Sequence, residues 1–135
     1  MLGVWSPKAA HAADTAALAR RLDVGRAKPY ATIADMVADP RIDALWLCGP
    51  NHARIENIEE LVDAVERGRG TLRGIACEKP LARNVSEAKR VAALVQRAGI
   101  AHGYLENQAF APQVEQGRSL IWARGARLHS GESLG

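Results

Sequence analysis

Short apolar runs of strand length alternate along this chain with longer stretches in which apolar residues return at helical spacing. No other feature restricts the fold as much. Parallel strands cannot be joined by a tight turn and need a crossover of a dozen residues or more, usually a helix. The alternation therefore predicts an α/β fold, a doubly wound parallel sheet built from βαβ units. The 135 residues suffice for a single core and would be cramped as a two-domain enzyme.

Leu2 to Trp5 reads as a short strand. Ser6 then offers an N-cap hydroxyl and Pro7 a first-turn proline for an alanine-rich helix running to Leu22, with Gly25 close after its end. Tyr30 and Ala31 suggest a brief strand, and Thr32 caps a short helix through Val37 that Pro40 stops. Ile42 to Cys48 is apolar almost throughout, as expected of a strand covered by helices on both faces. The turn Gly49-Pro50-Asn51 ends it, and His52 to Arg67 places Ile55, Ile58, Leu61, Val62 and Val65 on one helical face before Gly68. Leu72 to Cys77 is the next strand, followed by Glu78-Lys79-Pro80 and a helix from Ser86 to Ala98 that Gly99 closes. Ile100 to Leu105 is a further strand. Glu106-Asn107 and a helix from Pro112 to Ala123 come after it, and the tail beyond Gly125 has no period.

Charge and composition exclude several classes. The net charge is +3, but basic and acidic residues are interspersed and only 4% of residues are aromatic, so a nucleic-acid surface is not expected. The apolar run from Ile42 to Cys48 is far too short to cross a bilayer. No basic segment followed by an apolar stretch opens the chain, which points to a cytoplasmic setting without membrane partners. Cys48 and Cys77 each end an apolar segment and form no Cys-x-x-Cys pair, so buried reduced thiols are expected rather than a metal or redox site. His11, His102 and His129 have no partner at metal-ligand spacing.

In a doubly wound sheet ligands bind beyond the carboxyl ends of the strands, so the residues following each apolar run are the candidates. They are Ser6-Pro7-Lys8, Gly49-Pro50-Asn51-His52, Glu78-Lys79-Pro80 and Glu106-Asn107. Taken together, "CGPNHARI", "CEKPLARNVSEAKRV" and "GYLENQAFAP" resemble the Gfo/Idh/MocA oxidoreductases, the glucose-fructose oxidoreductase and inositol dehydrogenase type, from about Leu2 to Ala126. The resemblance implies a Rossmann domain over residues 1–126 that binds NAD or NADP, with an irregular tail over 127–135. In the complete enzyme a second α/β domain follows, and hydride passes between nicotinamide and a carbinol carbon of a sugar, cyclitol or related small molecule. A homo-oligomer is possible there.

By position, Lys79 matches the family lysine at the reacting hydroxyl and is the catalytic candidate. An ammonium beside that oxygen can stabilise developing negative charge or relay the proton. The plain alternative is a surface lysine in a loop. Glu78, with Pro80 beside it, matches the acid near the nicotinamide ribose, and Gly49, Pro50 and Asn51 match the turn whose backbone runs along the cofactor. Glu106 and Asn107 fall on the substrate side. His52 reads as a solvated helix start, and Arg54 stands where the family often has histidine. Ser6 occupies the position of an acid that usually holds the adenosine ribose. With Lys8 close by, it suits either a 2′-phosphate or no more than a helix cap.

The Gly-x-Gly-x-x-Gly turn that meets a dinucleotide pyrophosphate is absent from the sequence. In the strand order 3-2-1-4-5-6 the strand that carries it is central, so its absence predicts two unpaired edges. The chain is accordingly expected to be a fragment or shortened product, lacking that strand and the second domain, inactive alone and a poor binder of either cofactor. The competing expectation is a noncatalytic α/β module that binds another protein.

Overall fold

A computed structural model describes residues 1–125. A first compact unit spans Met1–Leu105 and a second begins at Glu106. In the first, β1 (Gly3–Trp5), α1 (Ala9–Arg21), β2 (Lys28–Tyr30), α2 (Ile33–Val37) and β3 (Ala44–Leu47) precede α3 (Arg54–Glu66), β4 (Gly74–Glu78), α4 (Val85–Arg97) and β5 (Ala101–Leu105). The second holds α5 (Pro112–Ala123), at the bounds its period predicts. The tail beyond residue 125 lies outside the described residues.

Every strand pair is parallel, as the alternation requires. The strands form a pair, β1-β2, and a triple, β3-β4-β5. Among the described residues β1 thus pairs only with β2, and β3 only with β4.

Helix ends follow local chemistry. Thr32 Oγ1 accepts from the Asp35 N–H at 2.9 Å and Asn84 Oδ1 from the Glu87 N–H at 2.9 Å, each satisfying a first-turn donor. Gly68 and Gly99 take left-handed φ of 70° and 67° just past α3 and α4, where a Cβ would be strained. At α1 one expectation is corrected. Its N-cap is Lys8, not Ser6, because the Ser6 hydroxyl instead accepts from the Lys8 N–H at 3.3 Å, a turn outside the helix. Its left-handed stop is Asp23, φ 55°, where the Val24 N–H closes onto the Ala19 carbonyl, and Gly25 follows close after.

Successive strand residues face opposite sides of a sheet, and the core divides accordingly. Val4 packs with Ala16, Ala19 and Ala27, on the α1 side. Trp5 packs instead with the larger cluster of Ile33, Met36 and Val37 from α2, Ile58, Leu61 and Val62 from α3, Ile75 and Cys77 from β4, and Val91 and Val95 from α4. Burying each of the α3 side chains contributes about 1.5–3 kcal/mol. The expectation that β3 is covered on both faces is corrected. Leu47 is buried, but Trp46 on the opposite face is 66% exposed, because α2, α3 and α4 gather on one side of the sheet.

Candidate active site at the strand ends

β3 and β4 run side by side with Leu47 opposite Cys77, and β4 and β5 with Glu78 opposite Leu105. Cys48-Gly49-Pro50 and Glu78-Lys79-Pro80 therefore leave the sheet at the same, carboxyl end. Beyond Pro50 a single 3-10 turn, Asn51–Ala53, leads directly into α3.

One side chain ties these ends together. Arg54, in the first turn of α3, is 1% exposed. Its Nη1 donates to the Leu47 and Glu78 carbonyls, both at 2.9 Å, and its Nη2 to the Gly49 carbonyl at 2.6 Å. A single planar guanidinium thus spans the end of β3, the turn after it and the end of β4, a geometry for which its rigid fork of donors is suited. Its Nε is buried without a partner. The sequence reading passed over Arg54 as a departure from a family histidine. A signal was present: with Ile58, Leu61, Val62 and Val65 it falls on the apolar face of the helix, where a solvated arginine does not belong.

Glu78 is half-buried and its Oε2 accepts from the Lys79 N–H at 3.2 Å, while Lys79 and Pro80 are exposed and joined by a cis peptide bond. Among the described residues no carboxylate forms an ion pair with Lys79. Ser6, Lys8, Gly49 and Pro50 line one cavity of about 980 Å³, together with His52 and Asn57. A Cβ on Gly49 would meet only the Asn57 amide, at 3.8 Å, so this turn leaves its backbone open to close approach. Asn51 is half-buried in the 3-10 turn. Glu106 and Asn107 belong to the second unit, where the Glu106 carboxylate accepts from the Gln108 N–H at 3.3 Å. His129 lies outside the described residues.

One of the two cysteines differs from expectation. Cys77 is buried, but Cys48 is exposed, because the chain leaves the sheet there and turns. Burial pushes the Cys77 thiol up, partly countered by the Arg54 charge; at Cys48 partial burial and then the Glu78 carboxylate push the thiol up. Neither group is primed as a nucleophile. Among the described residues no cluster of His, Cys, Asp and Glu could hold a metal ion, and no helix is long and apolar enough to cross a membrane.

Residues 1–104 match the family model described as oxidoreductase family, NAD-binding Rossmann fold, of the Gfo/Idh/MocA group. An uncharacterized oxidoreductase from Rhizobium meliloti, ORF334, is 35% identical over 83 residues, 62% of this chain and 22% of its own length. The crystal structure of an NAD binding oxidoreductase from Klebsiella pneumoniae superposes with a TM-score of 0.65 at 26% identity, covering 93% of this chain and 30% of that one. GenD2 from gentamicin A biosynthesis, solved in complex with NAD, shares the fold with a TM-score of 0.72 at 20% identity, over 93% of this chain and 32% of its own. The chain spans roughly a quarter of the length of the curated relatives it matches. A parallel α/β arrangement and a family match that covers residues 1–104, most of the chain, lead to one conclusion: the chain belongs to the Gfo/Idh/MocA oxidoreductase family, with its NAD-binding Rossmann fold.

Proposed function

We propose that this chain contributes strand-end turns to an NAD(P) site that serves hydride transfer between nicotinamide and a carbinol carbon of a sugar, cyclitol or related substrate, in a cytoplasmic setting. The observation that carries the reading is the guanidinium of Arg54 holding the Gly49 and Glu78 carbonyls, which sets the two candidate turns side by side. The open backbone at Gly49 fits a cofactor laid along the turn. Bound there, the cofactor would supply the hydride chemistry.

In this reading Gly49, Pro50 and Asn51 line the cofactor, Glu78 and Pro80 lie toward the nicotinamide ribose, and Lys79 stabilises charge at the substrate oxygen or moves its proton. Glu106 and Asn107 serve the substrate side. Ser6 and Lys8 meet the adenosine ribose. The Lys8 ammonium suits a 2′-phosphate and the Ser6 hydroxyl already serves its own turn, so NADP as well as NAD fits these residues. The dinucleotide domain is assigned to residues 1–126. The pyrophosphate is the weak point, because no glycine turn leading a helix N-terminus occurs in these residues to meet it.

Amide-resolved NMR titration of the chain with NAD(H) and NADP(H) tests the proposal. The expected result is millimolar affinity, about −4 kcal/mol, with shifts confined to the amides of Ser6, Lys8, Gly49, Asn51, Glu78 and Lys79. Micromolar one-to-one binding would reveal another phosphate site. Shifts that bypass Gly49 and Glu78 would refute the site itself.

A further inference from the structure

Lys79 opens an irregular stretch, residues 79–84, between the end of β4 and the start of α4. Among the described residues no backbone–backbone hydrogen bond reaches residues 80–83, although Leu81 packs against the core cluster. A loop with so few bonds of its own takes its order from its two ends. Both ends lead to the first turn of α3. On the near side Arg54 donates to the Glu78 carbonyl at 2.9 Å. On the far side the Arg83 guanidinium lies 3.8 Å from the carboxylate of Glu56, two residues after Arg54.

Arg83 is also bound to α4. Its Nε donates to Glu87 Oε1 at 2.8 Å and its backbone N–H to Oε2 of the same carboxylate at 3.2 Å, while the Glu87 N–H is capped by Asn84. One side chain thus joins the far end of the Lys79 loop to the first turns of two helices. A planar guanidinium with five donors can serve two carboxylates in this way, where an ammonium is a single compact charge. Arg83, Arg90 and Arg97 recur at seven-residue spacing, about two helical turns, and all three face glutamates of α3. The pairs Arg90–Glu59 at 2.5 Å and Arg97–Glu66 at 2.8 Å join helix to helix. The Arg83 pair differs from them in joining helix to loop.

We infer that Arg83 is a positioning residue for Lys79: with Glu56 and Glu87 it fixes the far end of the loop, so that the Lys79 backbone, and with it the ammonium, keeps one place at the strand ends. The inference rests on the reading of Lys79 as the group at the substrate oxygen, but the anchoring itself needs no cofactor. Arg83 and Glu56 are exposed, and exposed ion pairs add little to global stability, so the effect of breaking this one is local.

Amide nitrogen relaxation of the full chain reads the loop directly. In the parent the Lys79, Leu81 and Ala82 amides should show order parameters near 0.85, and in Arg83→Gln these should fall below about 0.6, while Val91 and Val95 in α4 keep theirs. Glu56→Gln should loosen the same amides, and the double variant should add nothing to Arg83→Gln, because both remove one anchor. Arg97→Gln breaks a comparable pair further along the helices and should leave the loop as it was. On addition of NAD(H), Arg83→Gln should diminish the Lys79 amide shift while the Gly49 and Asn51 shifts persist, and Arg97→Gln should alter none of them. Overturning results are a loop equally mobile in parent and Arg83→Gln, additive losses in the double variant, the same loosening in Arg97→Gln, or an undiminished Lys79 shift. Absence of NAD(H)-induced shifts at Gly49 in the parent, by contrast, would overturn the cofactor reading and leave the anchoring to the relaxation data.

Discussion

Replacing Arg54 by methionine isolates what the buried guanidinium contributes, because methionine keeps an unbranched apolar stem and removes the donors. Three carbonyls, those of Leu47, Gly49 and Glu78, lose a charged donor. A hydrogen bond to a charged group contributes about 1.5–3 kcal/mol, and a carbonyl stranded in the interior costs about 1–3 kcal/mol. Against this stands relief of a buried cation: among the described residues Arg54 has no carboxylate partner, and burying such a charge costs several kcal/mol. The losses exceed the relief because three bonds to a charged donor go at once, the one to the Leu47 carbonyl fully buried and the other two partly so. A net destabilisation of about 3 kcal/mol is expected, a large part of the ~5–15 kcal/mol that holds a domain together. At this chain length it lowers Tm by roughly 10 °C. Arg54→Lys should do no better, since it keeps the buried charge with fewer well-aimed donors. Urea unfolding with an unchanged m-value provides the measurement. An Arg54→Met protein as stable as the parent, or more so, would refute the reasoning and mark the arginine as an uncompensated charge.

Asp39 receives hydrogen bonds from Arg41 and Tyr30 and lies 3.2 Å from Lys28, and the Arg41 guanidinium foremost holds its carboxyl well below the usual carboxylate range. A depressed folded-state pKa adds stability above the unfolded value of about 4, and that stability is lost as pH falls further. Asp39→Asn should therefore flatten the fall in urea midpoint between about pH 4 and 2; an unchanged slope would show that the Asp35 and Glu87 carboxylates, also depressed, carry the effect alone. In an enzyme joining this segment to a substrate domain, Lys79→Ala should lower turnover about 10²–10⁴-fold with cofactor affinity little changed, and near-normal turnover would return Lys79 to an ordinary surface role. An aromatic disulfide reagent near neutral pH should titrate one thiol, Cys48, in the native chain, slowly because that thiol is pushed up, and both thiols in denaturant. Two rapidly reacting thiols in the native state would contradict the burial of Cys77.

The parallel α/β class, the capping by Thr32, the stops at Gly68 and Gly99 and the placing of Gly49 and Lys79 at strand ends were all legible in the residues. Each depends on contacts within a few positions along the chain, on side-chain period, turn stereochemistry or a first-turn donor, so local sequence contains the cause. Ser6 was misread for a related reason: a serine at a helix approach can serve either the cap or the preceding turn, and the choice depends on where the strand delivers it. Arg54, Trp46 and Cys48 were decided by tertiary structure. Whether an arginine is buried depends on how many carbonyls from other elements converge on it, and Leu47, Gly49 and Glu78 converge only once β3 and β4 pair. The apolar run around Trp46 suggested cover on both faces, but cover comes from the helices that other segments supply, and α2, α3 and α4 all lie on the far side.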